Sequence, residues 1–251
     1  MKKNPKIYLI FFLLILANTY KIQAQTNLTG WQIGAGIGNA VYQGDLTPSK
    51  LGSYKKLDPA FSINVSKYLS ASIKLRSSLS FGTIEADERR YTQSTFRQQR
   101  SLSFSSPFTE VSEVIVWNFL ESQYHNPRKI SPYLLGGIGV SFLNISRNSS
   151  QFNSAFFVND PHVLLGLAED LRITPPKTIL VFPLGVGANY YLSQFVSLYL
   201  EINFRCTQTD YLDGFSKVAQ PKNYDYYYVN SIGLVYTLHK QNRLGCPVLS
   251  Q

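Results

Sequence analysis

The sequence has little that could cross a membrane as a helix. One apolar run, residues 7–17, follows three lysines, and no later run approaches the ~20 residues that a membrane helix requires. A basic start, a short apolar core and a small residue at Ala24 are typical of a secretory signal peptide. We therefore expect a signal peptide over residues 1–24, one domain over 25–239 and a C-terminal tail over 240–251.

Charge is also scarce, at 16% of the residues. Residues 1–24 hold four lysines and no acids, so the net charge of +9 falls to +5 once they are removed. Nucleic-acid binding requires Lys and Arg clustered on one face of a protein. The nearest cluster is four arginines in one polar loop (Arg89, Arg90, Arg97 and Arg100), so the sequence does not predict a nucleic-acid partner.

Aromatic residues are plentiful, with 17 tyrosines and 16 phenylalanines, and apolar and polar residues alternate along much of the chain. The clearest alternation runs over 195–209. Apolar residues from Val196 to Cys206 share one face of this segment, and polar residues from Ser197 to Thr207 share the other. Such a strand places one face in an apolar medium, which is either the core of a soluble sandwich or the lipid around a barrel.

Loop lengths separate these two architectures. Eight alternating segments are predicted as strands: 31–43, 60–68, 71–85, 102–119, 132–145, 179–192, 195–209 and 226–238. The connections after odd-numbered strands are long, and two of the three after even-numbered strands are nearly absent. This alternation is typical of barrels in outer-membrane lipid, with long extracellular loops and short periplasmic turns. The sequence therefore predicts an all-β fold, an eight-stranded antiparallel up-and-down transmembrane β-barrel with both termini in the periplasm.

Two residues of the fourth strand fit this pattern poorly. Pro107 lacks the N–H that a strand ladder uses, so we expect a β-bulge there. Glu113 falls on the same face as Val111 and Ile115, where contact with lipid would be costly for a carboxylate. Either the register shifts in this strand or Glu113 lies near a membrane interface.

Five charged residues are predicted to point into the barrel: Lys74, Arg76, Glu110, Glu201 and Arg205. The interior of an eight-stranded barrel is only just wide enough for side chains, and buried charges must be paired. We therefore expect a structural ion-pair network that fills the interior, and no general porin activity.

Residues that often support catalysis or metal binding are few. Cys206 and Cys246 are predicted at opposite ends of the barrel, roughly 25 Å apart at ~3.3 Å per strand residue, whereas a disulfide requires Cα atoms within about 7 Å. The three histidines lack metal-ligand spacing and no glycine-rich loop opens a helix, so no metal or cofactor is expected. His162, beside Asp160 and near Ser154, is the one local arrangement that a rim enzyme could use. Such a loop arises easily by chance, and we expect no enzymatic activity.

Four segments resemble a known family. They read GWQIGAGIGNAVYQGDL (30–46), SFSSPFTEVSEVIVWNF (103–119), PYLLGGIGVSFLN (132–144) and FPLGVGANYYLSQFVSLYLEINFRCTQTDYLDG (182–214). In this order they are similar to a family of Bacteroidota outer-membrane barrels that includes PorG, an accessory barrel of the type IX secretion system. The most specific residues form two motifs: Tyr42, Gly44 and Asp45 in the first, and Thr209, Asp210, Tyr211, Leu212 and Asp213 in the second.

The resemblance implies a non-enzymatic structural or adaptor barrel in type IX protein secretion, either the secretion component itself or a paralogue. It also implies contact with a periplasmic ring of PorK-like and PorN-like subunits. The candidate contacts are basic residues of a periplasmic turn and the tail: Arg128, Lys129, Lys240 and Arg243. The alternative is that these residues belong to ordinary solvated turns.

A second function is also open, in which the long outer loops, rich in Tyr, Asn and Ser, bind a ligand or a host surface. Tyrosines in and beside the last loop suit this function: Tyr211, Tyr224, Tyr226, Tyr227 and Tyr228. They equally suit an aromatic girdle at the outer leaflet, which we favour.

Overall fold

The structure, a computed structural model, describes residues 30–48, 52, 58–120, 129–219 and 225–238. The expected signal peptide and C-terminal tail lie outside these residues, as do Arg128, Lys240, Arg243, Cys246 and Tyr224. The strands are β1 Trp31–Gln43, β2 Asp58–Tyr68, β3 Ile73–Asp87, β4 Ser103–Trp117, β5 Ile130–Leu143, β6 Ser146–Asn148, β7 Thr178–Tyr191, β8 Val196–Thr207 and β9 Tyr226–Leu238. A 3₁₀ turn spans Glu88–Arg90, and the helices are α1 Thr95–Arg100 and α2 Pro161–Arg172.

The strands close into a barrel in which every neighbouring pair is antiparallel. Around the wall the order is β3, β2, β1, β9, β8, β7, β5 and β4, and β4 pairs back onto β3. The short β6 pairs with β4 in the register that β5 has already set, so it resumes the same wall after a break at Asn144 and Ile145. The predicted eight-stranded up-and-down barrel is therefore confirmed, and each predicted strand ends within two residues of its observed bounds.

Side chains alternate between the outside of this wall and its interior. In β8, Leu200 and Ile202 are 57% and 55% exposed, whereas Glu201 and Asn203 are buried. Large apolar residues are exposed in the same way on the other long strands. Because closure leaves no open sheet edge, the backbone polar groups of such a wall are satisfied within it, which is the condition for crossing lipid. The wall therefore has the architecture of a membrane-spanning barrel.

No helix in the described part of the chain is long and apolar enough to span a membrane.

Small residues on the inner face let this narrow barrel close around large ones. A Cβ on Gly36 would lie 2.0 Å from Tyr199 Oη, so only glycine leaves room for the tyrosine ring that crosses the interior at this point. Tyr199 is 3% exposed and its hydroxyl lies 3.4 Å from Ser62 Oγ. The alternation of glycine with larger residues in β1 thus serves packing.

The expected bulge at Pro107 is wrong. Pairing of β4 with β3 runs without interruption from Ser103 to Trp117, with Pro107 opposite Thr83. The Pro107 carbonyl accepts a hydrogen bond from Asn144 N at 3.1 Å, so the side of Pro107 that lacks an N–H faces the break between β5 and β6. At that point the missing N–H leaves the pairing of β4 with β3 intact, and the strand stays regular.

Glu113 keeps its outward position without any shift of register. It lies opposite Ser77, whose hydroxyl donates to Glu113 Oε2 at 2.7 Å. Exposed Val111 and Ile115 flank it along the strand. A cross-strand serine therefore partners one oxygen of the carboxyl group within an otherwise apolar face, whereas Oε1 has no hydrogen-bond partner among the described residues.

The two ends of the barrel differ. At the turn end, β2 meets β3 and β7 meets β8 through tight turns, in which Leu69 N donates to Ile73 O and Leu192 N to Val196 O. The long connections gather at the loop end. There, segments 44–47, 88–101, 149–172 and 208–219 form a structure that we call the loop cap. Its apolar side chains share one buried cluster with the adjoining strand ends: Leu46, Leu102, Phe157, Val163, Leu167, Leu212, Phe215 and Val218.

Candidate functional site in the lumen and the loop cap

The first lumen ion pair joins β3 to β8. Arg76 Nη1 lies 2.6 Å from Glu201 Oε2, and both side chains are less than 10% exposed. Tyr133 Oη donates to the same oxygen at 2.7 Å, and Asn203 Nδ2 donates to Glu201 Oε1 at 3.2 Å. Both oxygens of the buried carboxylate are therefore partnered, as burial of a charge requires.

The second ion pair joins β8 to β4 nearer the loop end. Arg205 donates from Nε and Nη2 to the two oxygens of Glu110, both at 3.2 Å, which is a bidentate arrangement. Tyr227 Oη donates to Glu110 Oε2 at 2.7 Å, and Arg205 Nη1 donates to the Asn203 carbonyl at 2.7 Å. The structure thus places four of the five predicted lumen charges in two ion pairs, which link three strands of the barrel wall across the interior.

Lys74, the fifth predicted lumen charge, lies nearer the turn end. It is 2% exposed, and its ammonium group donates to Gln32 Oε1 at 3.1 Å and lies 5.4 Å from the centre of the Tyr68 ring. Gln32 in turn donates to Thr237 Oγ1 at 3.0 Å. Lys74 therefore belongs to a polar chain with Gln32 and Thr237.

Little empty space remains between these groups. The cavity at the level of Arg76, Glu201 and Arg205 has a volume of about 30 Å³. A water molecule needs at least ~10–15 Å³ measured in this way, so the cavity has room for about two waters. The lumen at this level is filled by side chains.

At the loop end, one tyrosine hydroxyl lies between two carboxyl groups. Tyr42 Oη is 2.7 Å from Asp213 Oδ2 and 2.7 Å from Asp225 Oδ1. The outer oxygens of the two carboxyls accept backbone N–H groups, from Phe215 at 2.8 Å and from Leu212 at 3.1 Å. All three side chains are buried, so this triad ties the end of β1 to the last loop.

The geometry of this triad requires an additional proton. A phenol has one O–H and can donate to only one of the two carboxyl groups. The second contact of 2.7 Å is a hydrogen bond only if the other carboxyl is protonated and donates to Tyr42 Oη. One of Asp213 and Asp225 is therefore neutral in the folded cap.

The surroundings of the two carboxyls agree with this. Burial raises the pKa of Asp213 from 3.8 to about 8, and the charges of Asp45 and Asp210 add to the rise. Burial also raises the pKa of Asp225 well above its ordinary value, with the charge of Asp213 as the next-largest cause. Two carboxylates this close in a buried site disfavour double ionisation.

The remaining motif residues gather around the triad. A Cβ on Gly44 would lie 2.0 Å from Asp225 Oδ1, so only glycine admits the aspartate. Thr209 Oγ1 accepts from Tyr211 N at 3.1 Å, and Asp210 Oδ2 accepts from Ser216 Oγ at 2.6 Å. Leu212 is fully buried in the apolar cluster of the loop cap. The charge of Asp45 acts on Asp213, as described above. The structure thus brings both motifs together, although they are more than 160 residues apart in the sequence.

Sequence reasoning missed other polar residues that fix the loop cap. Asp170 of α2 is fully buried and accepts backbone N–H groups from Ser216, Lys217 and Val218 at 2.9–3.1 Å. Arg147 donates to the carbonyls of Asp170 and Ile173 at the end of α2, which satisfies groups that a helix leaves open. The Asp170 bonds depend on a tertiary fold that no local pattern reveals.

A buried carboxylate in the second long loop was also missed. Glu88 is fully buried, and Arg100 Nε donates to its Oε2 at 2.9 Å. Arg97 Nη1 adds a contact to Glu88 Oε1 at 3.1 Å. The spacing of Glu88, Arg97 and Arg100 in a polar loop was the available signal, but the arginines alone read as a weak basic cluster.

Several other predicted candidates are not brought together. His162 and Ser154 are exposed, and within the described ranges no hydrogen bond links them or joins either to Asp160. Lys129 lies at the turn end, exposed, with its ammonium group 5.4 Å from the Tyr190 ring centre. Cys206 is a free thiol on the outward face of β8.

The tyrosines beside the last loop divide between locations. Tyr226 and Tyr228 lie on the outward side of β9 and pack on Phe204, at ring-centroid distances of 5.6 and 5.9 Å. Tyr226 is half-buried, whereas Tyr228 is only 6% exposed. Tyr227 is fully buried and points inward to Glu110, so its assignment to a girdle or a ligand-binding surface is wrong. The period of two along β9 explains this, because neighbouring residues face opposite sides. Tyr211 donates to Asp170 Oδ1 at 3.2 Å within the loop cap.

Comparison with protein families gives one match that spans most of the chain. The profile of DUF6089, described as a domain of unknown function, matches residues 6–242. The chain belongs to the DUF6089 family. This match covers the whole barrel and the loop cap, including both motifs. No curated protein matches the chain.

Solved structures give matches at low sequence identity. Neisserial surface protein A is 14% identical, over 84% of this chain and 98% of that one, with a TM-score of 0.46. OprG from Pseudomonas aeruginosa is 10% identical, over 84% and 97%, also with a TM-score of 0.46. The outer membrane enzyme PagL is 11% identical, over 82% and 99%, with a TM-score of 0.34. Likeness of this degree does not extend to function.

Proposed function

We propose that the chain is a structural or adaptor barrel of the bacterial outer membrane that does not conduct solutes. The observation that supports this most is the filled lumen, in which two buried ion pairs cross the interior beside a cavity of about 30 Å³. A general pore needs a wide, wetted path, which larger barrels provide. The loop cap adds a second layer over one end of the barrel.

The outward face supports a location in the outer membrane. An apolar outer surface with a polar, packed interior suits a barrel in outer-membrane lipid. In such barrels long loops face the cell surface and short turns face the periplasm. We therefore place the loop cap outside the cell, and the turn end with Lys129 toward the periplasm.

The non-conducting role is tested by reconstituting the purified full-length protein in planar bilayers. We expect background conductance only, because the ion pairs between Arg76 and Glu201 and between Arg205 and Glu110 occupy the interior. Stable, large conductance steps would overturn this part of the proposal.

We further propose that the barrel serves type IX secretion by contacting a periplasmic ring of PorK-like and PorN-like subunits. The support is the resemblance of the two loop-end motifs to the family that includes PorG. The candidate contacts are the basic residues of the periplasmic turn and tail: Arg128, Lys129, Lys240 and Arg243. A basic surface at the periplasmic end would suit an acidic partner surface.

This role is tested in a strain that lacks the gene. We expect deletion to block cargo secretion and the wild-type gene to restore it. A variant with R128E, K129E, K240E and R243E should fail to restore secretion and should no longer retain ring subunits in a pull-down. The matched control is R172E with K177E, which reverses exposed basic residues at the loop end and should behave as wild type.

Two results would contradict the adaptor role. Intact secretion in the deletion strain would remove the link to type IX secretion. Equal retention of ring subunits by the two charge-reversal variants would show that the four basic residues are ordinary solvated turn residues.

A further inference from the structure

The loop cap contains a cavity that neither the lumen nor the adaptor role uses. It has a volume of about 380 Å³ and opens at the loop end, between the segment after β1, the helix α1 and the start of α2. Cavities that bind small molecules begin at about 300 Å³. The cavity is therefore large enough for a small ligand.

The polar groups around this cavity include both hydrogen-bond donors and acceptors. Its ionisable lining comprises the carboxyl groups of Asp45 and Asp160 and the guanidinium groups of Arg97 and Arg100, with His162 beside them. Both arginines are paired with the buried Glu88, so the lining offers no unpaired cation to an anionic ligand. Such a lining disfavours an anion, and it suits a neutral ligand that both donates and accepts hydrogen bonds.

Asp160 is available to such a ligand. It stands at the N-cap position of α2, yet its side chain makes no capping hydrogen bond with the helix. A capping carboxylate would normally accept one of the first helical N–H groups. The helix therefore leaves these oxygens able to accept hydrogen bonds from a molecule in the cavity.

An aromatic ring forms part of the wall. Phe96 of α1 is 41% exposed and lines the cavity. Its ring packs edge-on against Phe157, at 5.2 Å between ring centroids, and the Arg100 guanidinium lies 5.4 Å from its centre. A ring held in place with an exposed side offers a flat apolar surface to a ligand.

We propose that this cavity binds a saccharide at the cell surface. A sugar ring presents hydroxyl groups that donate and accept hydrogen bonds, together with an apolar C–H face that packs on an aromatic ring. The cavity supplies the matching groups in Asp160, the half-buried Arg97 and Phe96. This inference does not depend on the adaptor role, and it gives the surface-binding function a ligand class.

The test uses full-length protein in a zwitterionic detergent that has no sugar headgroup. The probes are glucose, galactose, mannose, N-acetylglucosamine and maltose, each measured in turn by saturation-transfer difference NMR. We expect at least one sugar to receive magnetisation from the wild-type protein. F96A should weaken its binding about three- to tenfold, as expected for the loss of one aromatic contact.

The matched control is F156A. Phe156 is 49% exposed and also packs edge-on against Phe157, at 5.0 Å, but it does not line the cavity. It should leave sugar binding unchanged, while D160N, which preserves the shape of the side chain, should weaken it. A difference in gel mobility between heated and unheated samples confirms that each variant is folded.

Three results would overturn the proposal. They are the absence of transfer to every sugar tested, an equal effect of F96A and F156A, and binding of inorganic phosphate without binding of any sugar.

Discussion

The shared proton of the Tyr42–Asp213–Asp225 triad makes a direct prediction about D213N. The carboxamide oxygen introduced by this substitution can still accept from Phe215 N, and the carboxamide nitrogen can donate to Tyr42 Oη. Tyr42 is then free to donate to Asp225 Oδ1. The triad then satisfies its hydrogen bonds without an additional proton, so the pH dependence of the loop cap should become weaker, although burial still raises the pKa of Asp225.

The magnitude follows from proton linkage. The pKa of Asp213 is raised from 3.8 to about 8 in the folded cap, so between these values the closed cap holds a proton that the open cap releases. Stability is then complete at low pH and falls as the pH rises, by up to about 1.4 kcal/mol per pH unit for one proton. The equilibrium constant for cap opening should rise by up to about tenfold per pH unit in the wild type, and less steeply in D213N, which removes the Asp213 charge but not the burial of Asp225.

The assay is hydrogen exchange by mass spectrometry on the segment that contains the Leu212 and Phe215 amides. Rates are divided by the intrinsic exchange rate at each pH, which leaves the opening constant. The matched control is E169Q, which removes one negative charge from an exposed position of α2 and should keep the wild-type slope. Equal slopes in the wild type and D213N would refute the shared proton.

Three further predictions concern the lumen and the cap. E110Q leaves the Arg205 guanidinium buried without a full charge partner and should lower the free energy of unfolding by about 3–5 kcal/mol. E85Q, at the more exposed pair with Arg90, should lower it by at most about 1 kcal/mol. Urea unfolding in vesicles measures both free energies, and equal effects would contradict the role of burial. G36A should destabilise the barrel by about 1–3 kcal/mol. Adding Y199F should recover part of this lost stability because it removes the nearest clashing atom, the tyrosine hydroxyl. Additive losses of stability in a double-mutant cycle would count against this packing. R147A should speed cleavage of residues 149–177 by added protease, since it removes the donors at the end of α2, and unchanged cleavage would argue against this cap.

The wall of the barrel could be predicted from the sequence because its period is local. Along β8 each residue faces the opposite side from its neighbours, so the alternation of polar and apolar residues assigns Glu201 and Arg205 to the interior. Closure and the alternation of long and short connections follow from the same pattern. The exception was Pro107, whose effect depends on the break between β5 and β6 in the neighbouring strand.

The loop cap could be predicted only in part. The motif residues Tyr42 and Asp213 were identified by resemblance, whereas their contact through Asp225 depends on the fold of the last loop. The helix α2 was missed within a long connection, although Pro161 at its first turn was a start signal. Asp170 lies in the same long connection, and only tertiary packing buries it.

The two tryptophans of the sequence test the membrane assignment without any substitution. Trp31 opens β1 and Trp117 ends β4, and both lie on the outward face at the turn end of the barrel. The measurement is fluorescence quenching by lipids brominated at different depths of the acyl chain, on the wild-type protein in vesicles. We predict quenching that is stronger for bromines near the headgroup than for bromines at the bilayer centre, as expected for an interfacial girdle. Fluorescence that brominated lipids leave unchanged and aqueous iodide quenches would contradict a barrel whose apolar face lies in lipid.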